Sequence, residues 1–206
     1  MKKLIIAAAS LAALASGSAF AADSQSTDVT FAGTVANTCV LKNAVSSGLS
    51  NVTETSVAGN AGTSVLAITN LADATSAALN SAGFTLTYAD SYCNYAHKIS
   101  IKATNGGLIN STTGNDPVAT SGTFVQRIGY DADLKWMGPA FAQGPNPATS
   151  TSTKAGDAAS TTQIDFPVSG ANRADVVLTV AIAANVNPVV AGSYSETLTI
   201  KLGPQP

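Results

Sequence analysis

The sequence predicts an all-β protein built as a single β-sandwich. Apolar and polar residues alternate strictly, with many β-branched side chains, in segments such as 84–88, 98–102 and 176–182. This period of two is typical of half-buried strands in an antiparallel sheet with one solvated face. Clusters of Gly, Pro, Asn and Asp separate the segments, and no heptad pattern occurs. Many short strands with turns between them favour a sandwich.

The predicted elements can be placed in chain order. The alternating segments are residues 29–35, 84–88, 98–102, 176–182 and 194–202. The one helical candidate is residues 71–79, which are rich in alanine. Residues 143–162, rich in Ala, Ser, Thr, Gly and Pro, are predicted to form a long exposed loop.

The charge and the length of the chain limit the classes of function that it can have. The chain has 206 residues, of which 45% are apolar and 11% are charged, and its formal net charge is −2. The 10 Lys and Arg residues are scattered along the chain, whereas a phosphate-binding surface needs clustered cations. We therefore exclude nucleic acid as a partner. The length allows one domain with a substantial core, or at most two small ones.

Residues 1–21 have the features of a cleaved export signal. Lys2 and Lys3 precede an apolar stretch at 4–14, and residues 19–21 form an Ala-x-Ala site, which predicts cleavage before Ala22. The apolar stretch is too short to span a bilayer, although retention as a helical anchor is the alternative. No lipoprotein cysteine follows the signal, so we expect release into the periplasm.

The cysteines of the chain are Cys39 and Cys93. In an exported protein the default expectation is a disulfide between them. Closing this loop stabilises the fold by roughly 4 kcal/mol in the chain-entropy model. Two free thiols, or half of a metal site, are the alternatives.

Few residues suit catalysis or ligand binding. His97 is the single histidine and no nucleophile-elbow motif accompanies it, so a structural role is favoured. Asp131 and Asp133 share a strand face, but the calcium-loop spacing is absent. Trp136 near Tyr130 could stack on a sugar, although a lone Trp in a sandwich is more often core. We predict no enzyme activity, no cofactor and no metal.

Three short motifs resemble those of one family. Residues 29–35 read Val-x-Phe-x-Gly-x-Val and run into Cys39, Cys93 is followed by a predicted strand and turn, and residues 191–198 read Ala-Gly-x-Tyr-x-Glu-Thr-Leu. Their types and order resemble the pilin subunits of chaperone–usher fimbriae, in particular the archaic branch similar to spore coat protein U. The chain departs from the family at Thr27, where glycine is frequent, and lacks an aromatic residue near the end of its last strand.

The resemblance implies an incomplete immunoglobulin-like sandwich with Greek-key topology, which lacks its last strand and is completed by a donated strand. It implies a structural subunit of an extracellular fimbria that supports cell adhesion or biofilm formation. The implied partners are neighbouring pilin subunits, a periplasmic chaperone, an outer-membrane usher and a host or abiotic surface. The implied organisation is a signal peptide at 1–21, a donor extension at 22–33 and the sandwich domain at 34–206.

The resemblance also assigns a donor strand and the strands that wall the acceptor groove. The donor face would be formed by Thr27, Val29, Phe31 and Gly33, and the groove strands would contain Val35, Tyr194, Leu198, Ile200 and Leu202. Two features of the sequence agree with this, since few residues remain after 200 for a further strand and segment 22–31 has no evident partner nearby. An open groove and a spare strand are what strand donation requires. The alternative is that segment 22–31 pairs within its own chain or frays.

A secreted monomeric β-sandwich module, carbohydrate-binding or spore-coat-like, is the second interpretation. Such a module folds alone, whereas a pilin needs a chaperone or an added strand. A tip adhesin is disfavoured, because it usually carries a further receptor-binding domain and the chain after residue 21 leaves little room for one.

Overall fold

A computed structural model describes residues 28–56, 63–111, 120–121, 124–137, 148–153 and 163–204. These residues form strands, turns and irregular segments and contain no α-helix, which confirms the all-β prediction. The described residues include no helical segment that could serve as a membrane span. Contacts divide the chain into two units, Met1–Val35 and Ala36–Pro206. The predicted signal peptide lies outside the described residues.

The strands all belong to the second unit, and most of them are short. They are β1 (Cys39–Val40), β2 (Ala44–Ser50), β3 (Val52–Ser56), β4 (Val65–Ile68), β5 (Ala78–Leu79), β6 (Ala82–Cys93), β7 (His97–Ala103), β8 (Leu108–Asn110), β9 (Thr120–Ser121), β10 (Phe124–Val125), β11 (Arg127–Ile128), β12 (Tyr130–Met137), β13 (Ala148–Thr153), β14 (Ile164–Val168), β15 (Asn172–Ile182), β16 (Asn185–Pro188), β17 (Tyr194–Ser195) and β18 (Leu198–Pro204).

The largest sheet has the strand order β1–β6–β15–β12–β13, and β2 also pairs with β6. Every pairing in it is antiparallel. Leu178 on β15 lies opposite Leu86 on β6 and Leu134 on β12, and all three side chains are buried. The alternation seen in the sequence therefore places one face of this sheet in the core.

A second set of strands has β7 and β8 at its centre. β7 pairs with β14 on one side and β18 on the other, while β8 pairs with β11 and β17. All of these pairings are antiparallel, and Ile101 on β7 lies opposite Ile164 and Ile200. Smaller two-stranded sheets join β3 to β4, β5 to β16 and β9 to β10.

The core draws side chains from both sets of strands. Ile99 and Ile101 on β7 belong to the same buried cluster as Leu134 and Trp136 on β12. The His97 ring at the start of β7 packs against the Trp136 ring with 4.7 Å between centroids. Several antiparallel sheets that share one core are consistent with a β-sandwich.

The helix predicted at 71–79 is wrong. The Asp73 carboxylate accepts hydrogen bonds from the backbone N–H groups of Thr75 and Ser76, at 2.9 and 2.8 Å. The Ala77 N–H also donates to the Asp73 carbonyl at 2.9 Å, so the segment closes a single turn and does not continue as a helix. Ala77 then adopts φ 55°, in the left-handed region, and β5 begins at the next residue.

The long loop predicted at 143–162 is wrong at residues 148–153. These residues form β13, which pairs with β12 so that Ser150 lies opposite Asp133. Alternating Ser and Thr residues suit an edge strand because the β-branched threonine favours the extended backbone. The remainder of the predicted loop lies outside the described residues.

Candidate functional site

The strand β18 lies at the end of the order β14–β7–β18, and β7 is its pairing partner among the described strands. One edge of its backbone therefore faces away from the ladder. A seven-residue strand whose outer edge pairs with no other described strand is a template on which another strand can pair.

The apolar side chains of β18 are half-buried, in contrast to those of its neighbour β7. Ile200 and Leu202 lie opposite Ile101 and Ile99, which are 1% and 0% exposed. Ile200, Leu202 and Leu198 pack against the core but are only partly buried. β18 also contacts β1, at the start of the largest sheet. This edge of the core is thus apolar and incompletely covered.

The predicted groove residues occupy different places in the structure. Leu198, Ile200 and Leu202 lie together on β18, whereas Tyr194 lies on the preceding strand β17. Val35 belongs to the segment 28–38, which forms no strand, and its side chain is 85% exposed. The expectation that Val35 lies in a strand beside the groove thus finds no counterpart in the structure.

Of the predicted donor extension at 22–33, the structure describes residues 28–33, and Thr27 lies outside the described residues. Val29 is 66% exposed and Phe31 is 91% exposed. A Cβ added at Gly33 would meet no atom within 4 Å. Single exposed apolar side chains are ordinary on protein surfaces, but Val29, Phe31 and Val35 are three exposed apolar residues within seven, and each would gain from burial.

The predicted disulfide between Cys39 and Cys93 is present, which confirms that prediction. The two residues lie opposite each other on β1 and β6. The bond therefore ties the first described strand of the sandwich to β6, which pairs on its other side with β15.

The motif at 191–198 packs closely against the turn and strand that follow β7. Gly192 has φ 150°, and a Cβ at this position would collide with the side-chain amide of Asn110. The Tyr194 hydroxyl donates a hydrogen bond to the Val190 carbonyl at 2.7 Å. The Asn110 amide donates to the Ala191 carbonyl at 3.1 Å. These contacts fix the approach to β17.

Glu196, between β17 and β18, holds the turn between β7 and β8. Its carboxylate accepts hydrogen bonds from the backbone N–H groups of Asn105 and Gly107, at 2.9 and 2.7 Å. Arg127, on β11, donates from its guanidinium to the Asn105 carbonyl. Glu196 thus ties the segment that precedes the edge strand β18 to the turn that follows β7, through charge-assisted hydrogen bonds.

Replacing Glu196 with glutamine should lower the free energy of unfolding by about 1.5–3 kcal/mol, since the charge and one acceptor oxygen are lost. Urea denaturation of the purified protein measures this. Glu54→Gln is the matched control, because Glu54 lies exposed on β3 and accepts from the Ser46 hydroxyl, which a glutamine carbonyl can also accept; it should change stability by no more than about 0.5 kcal/mol. Equal losses from the two variants would contradict the role given to Glu196.

Of the residues considered for chemistry, His97 and Trp136 are in contact with each other, but both are fully buried. The buried His97 ring hydrogen-bonds through Nδ1 to the Tyr95 carbonyl at 2.6 Å. Asp133 forms an ion pair with Lys135 at 3.0 Å on the same strand. Trp136 is fully buried and so cannot stack on a sugar. Within the described ranges, no group of three or more His, Cys, Asp or Glu residues could hold a metal ion.

His97 should make stability depend on pH between 7 and 5. Burial lowers the pKa of its imidazole, and this outweighs the hydrogen bond to Tyr95. The unfolded chain, with a histidine pKa of about 6.5, therefore binds the proton more tightly than the folded chain. Stability is then greatest above about pH 6.5 and declines as the pH falls, by up to about 1.4 kcal/mol per pH unit.

Urea denaturation as a function of pH, with NMR titration of the imidazole, measures this effect. His97 is the single histidine of the chain, and carboxylates whose pKa is lowered, such as Asp90 beside Arg173, titrate below this window. A flat stability profile from pH 7 to 5 would contradict the burial of a neutral His97.

No family model, no curated protein and no solved structure matches the chain. The features that bear on function are therefore those of the molecule itself. They are the outer edge of β18, the exposed apolar side chains of residues 29–35, and the disulfide between Cys39 and Cys93.

Proposed function

We propose that this protein is a structural subunit of an extracellular fimbria, in which the N-terminal segment of one copy completes the sandwich of the next. The observation that carries the proposal is the edge strand β18, whose apolar side chains are half-buried and whose outer backbone edge has no strand partner among the described residues. Strand addition at such an edge satisfies backbone hydrogen bonds and covers apolar side chains in a single event.

The proposed donor is segment 22–33. In an extended backbone, alternate side chains point to the same face, so Val29, Phe31 and Gly33 would enter the groove together, with Thr27 preceding them. Val29 and Phe31 are exposed in the chain alone. Burying a large apolar side chain contributes about 1.5–3 kcal/mol, so these two residues supply a substantial driving force for association.

The proposed acceptor is the edge formed by Leu198, Ile200 and Leu202, together with the nearby start of the largest sheet. In the proposed organisation, the sandwich spans residues 34–206 and lacks the last strand of an immunoglobulin-like fold. A second copy of the chain supplies that strand, because a donor within the same copy would cap the edge and end the polymer.

An open apolar edge is an aggregation hazard, and it implies helper proteins during export. We propose that a periplasmic chaperone lends a strand to the edge until an outer-membrane usher exchanges it for the donor segment of the next subunit. Export would depend on the signal at 1–21, and the disulfide is compatible with an oxidising compartment. The finished fibre would act in adhesion or biofilm formation on a host or abiotic surface.

Immunogold electron microscopy tests this function directly. Antibodies raised against the purified chain should label fibres on the surface of the cells that produce it, and deletion of the gene should remove those fibres. A labelled, soluble monomer in the medium, with no labelled fibres, would instead support the secreted monomeric module.

A further inference from the structure

Asn94 holds the stretch of backbone that precedes β1. Its side-chain Oδ1 accepts a hydrogen bond from the Thr38 N–H at 2.8 Å, and its Nδ2 donates to the Ala36 carbonyl at 2.8 Å. Its own backbone N–H donates to the Thr38 carbonyl at 3.1 Å. The acceptor and the donor of the Asn94 side-chain amide thus both bind the backbone of residues 36–38.

These bonds extend the pairing of β1 with β6 beyond its last pair. The ladder includes Cys39 opposite Cys93, and the next residue along β6, Asn94, has turned out of the strand. Its side chain replaces the donor and acceptor that a further strand residue would provide. An amide is suited to this because it carries a donor and an acceptor side by side.

Three links in succession fasten residues 36–42 to β6 and the turn after it. Asn94 holds Ala36 and Thr38, the disulfide holds Cys39, and the Lys42 N–H donates to the Ser91 hydroxyl at 3.1 Å. Ser91 is itself fully buried. Since β6 pairs with strands on both of its sides, these links connect the chain directly to the middle of a sheet.

We propose that Asn94 is a positioning residue for assembly. It holds the backbone of residues 36–38, which closely follows the donor segment. The linker between the sandwich of one subunit and the strand that this subunit donates to the next is therefore short and stiff. This inference rests on the proposed function, because only a donated segment carries load between subunits. Without Asn94, the disulfide at Cys39 would be the first of the three links along the chain.

Hydrogen exchange measured by NMR tests the anchor itself, on the full chain kept monomeric by a second copy of residues 22–35 fused after Pro206. Asn94→Ala should speed exchange of the Thr38 amide by roughly tenfold or more, since that amide loses its acceptor. Asn94→Asp keeps the acceptor and should leave this exchange within about twofold of wild type. Asn80→Ala is the control, because the Asn80 amide donates to the Asn70 carbonyl in a distant turn, and it should not affect Thr38.

Fibre curvature in electron micrographs tests the role in assembly. Asn94→Ala and Asn94→Asp should both give fibres that bend more sharply than wild type, because both lose the bond to Ala36, while Asn80→Ala fibres should match wild type. Thermal unfolding should shift by only a few degrees in each variant. Unchanged Thr38 exchange in Asn94→Ala would overturn the anchor. Faster exchange with unchanged curvature would overturn the positioning role, whereas a wild-type chain without fibres would overturn the proposed function.

Discussion

Replacing Phe31 with alanine should abolish the fibres or shorten them severely, while the subunit itself remains folded. The Phe31 side chain is 91% exposed, so the fold of the subunit does not depend on its ring. In the fibre, the ring would be the largest anchor buried in the groove of the neighbour. Truncating a buried aromatic side chain costs about 3–5 kcal/mol, which weakens association by roughly a hundredfold to several thousandfold.

Thr30→Ala is the matched control for Phe31→Ala. Thr30 precedes Phe31, and its side chain points to the opposite face of an extended strand, so its loss should have little effect. Fibre length in electron micrographs and the periplasmic level of the subunit–chaperone complex in immunoblots separate assembly from folding. Normal fibres from Phe31→Ala, or equal effects of the two variants, would remove segment 22–35 from the mechanism.

Fusing a second copy of residues 22–35 after Pro206 through a flexible linker should convert an unstable or self-associating subunit into a stable monomer. The linker raises the local concentration of the donor strand to the millimolar range, so that donation becomes intramolecular. We expect cooperative unfolding at a higher temperature, together with loss of polymerisation. Thermal unfolding and sedimentation of the fused and unfused chains measure the two effects.

The control is the same fusion with Phe31→Ala in the appended copy alone, which should recover little of the stability. The behaviour of the unfused chain can contradict this prediction. If it is already a monomer that unfolds cooperatively and resists heat, its sandwich needs no donated strand, and the secreted module becomes the better account.

Local sequence patterns predicted those parts of the fold that depend on local alternation. Leu86 and Leu178 lie in segments predicted to alternate with a period of two, and both are buried in the core. The pairing of Cys39 with Cys93 followed from the export signal and from the cysteine count. In contrast, an Ala-rich composition suggested a helix near Asp73, where the carboxylate instead stabilises a turn.

Local sequence patterns did not predict interactions between residues that are far apart in the sequence. The turn at 105–107 is readable from its Asn-Gly-Gly sequence, but its acceptor, Glu196, lies about 90 residues away. Asn94 likewise gave no signal, although its neighbour Cys93 did. Conformational preferences are local, whereas a hydrogen bond between separate strands depends on a register that the whole sheet determines.

A cryo-electron microscopy reconstruction of the fibre tests the central claim most directly. The account predicts density for an added strand along Leu198–Pro204, on the side away from β7, with the Phe31 side chain of a second copy enclosed between the sheets. A fibre in which the edge of β18 carries no added strand, and in which residues 29–33 lie outside the neighbouring subunit, would contradict it.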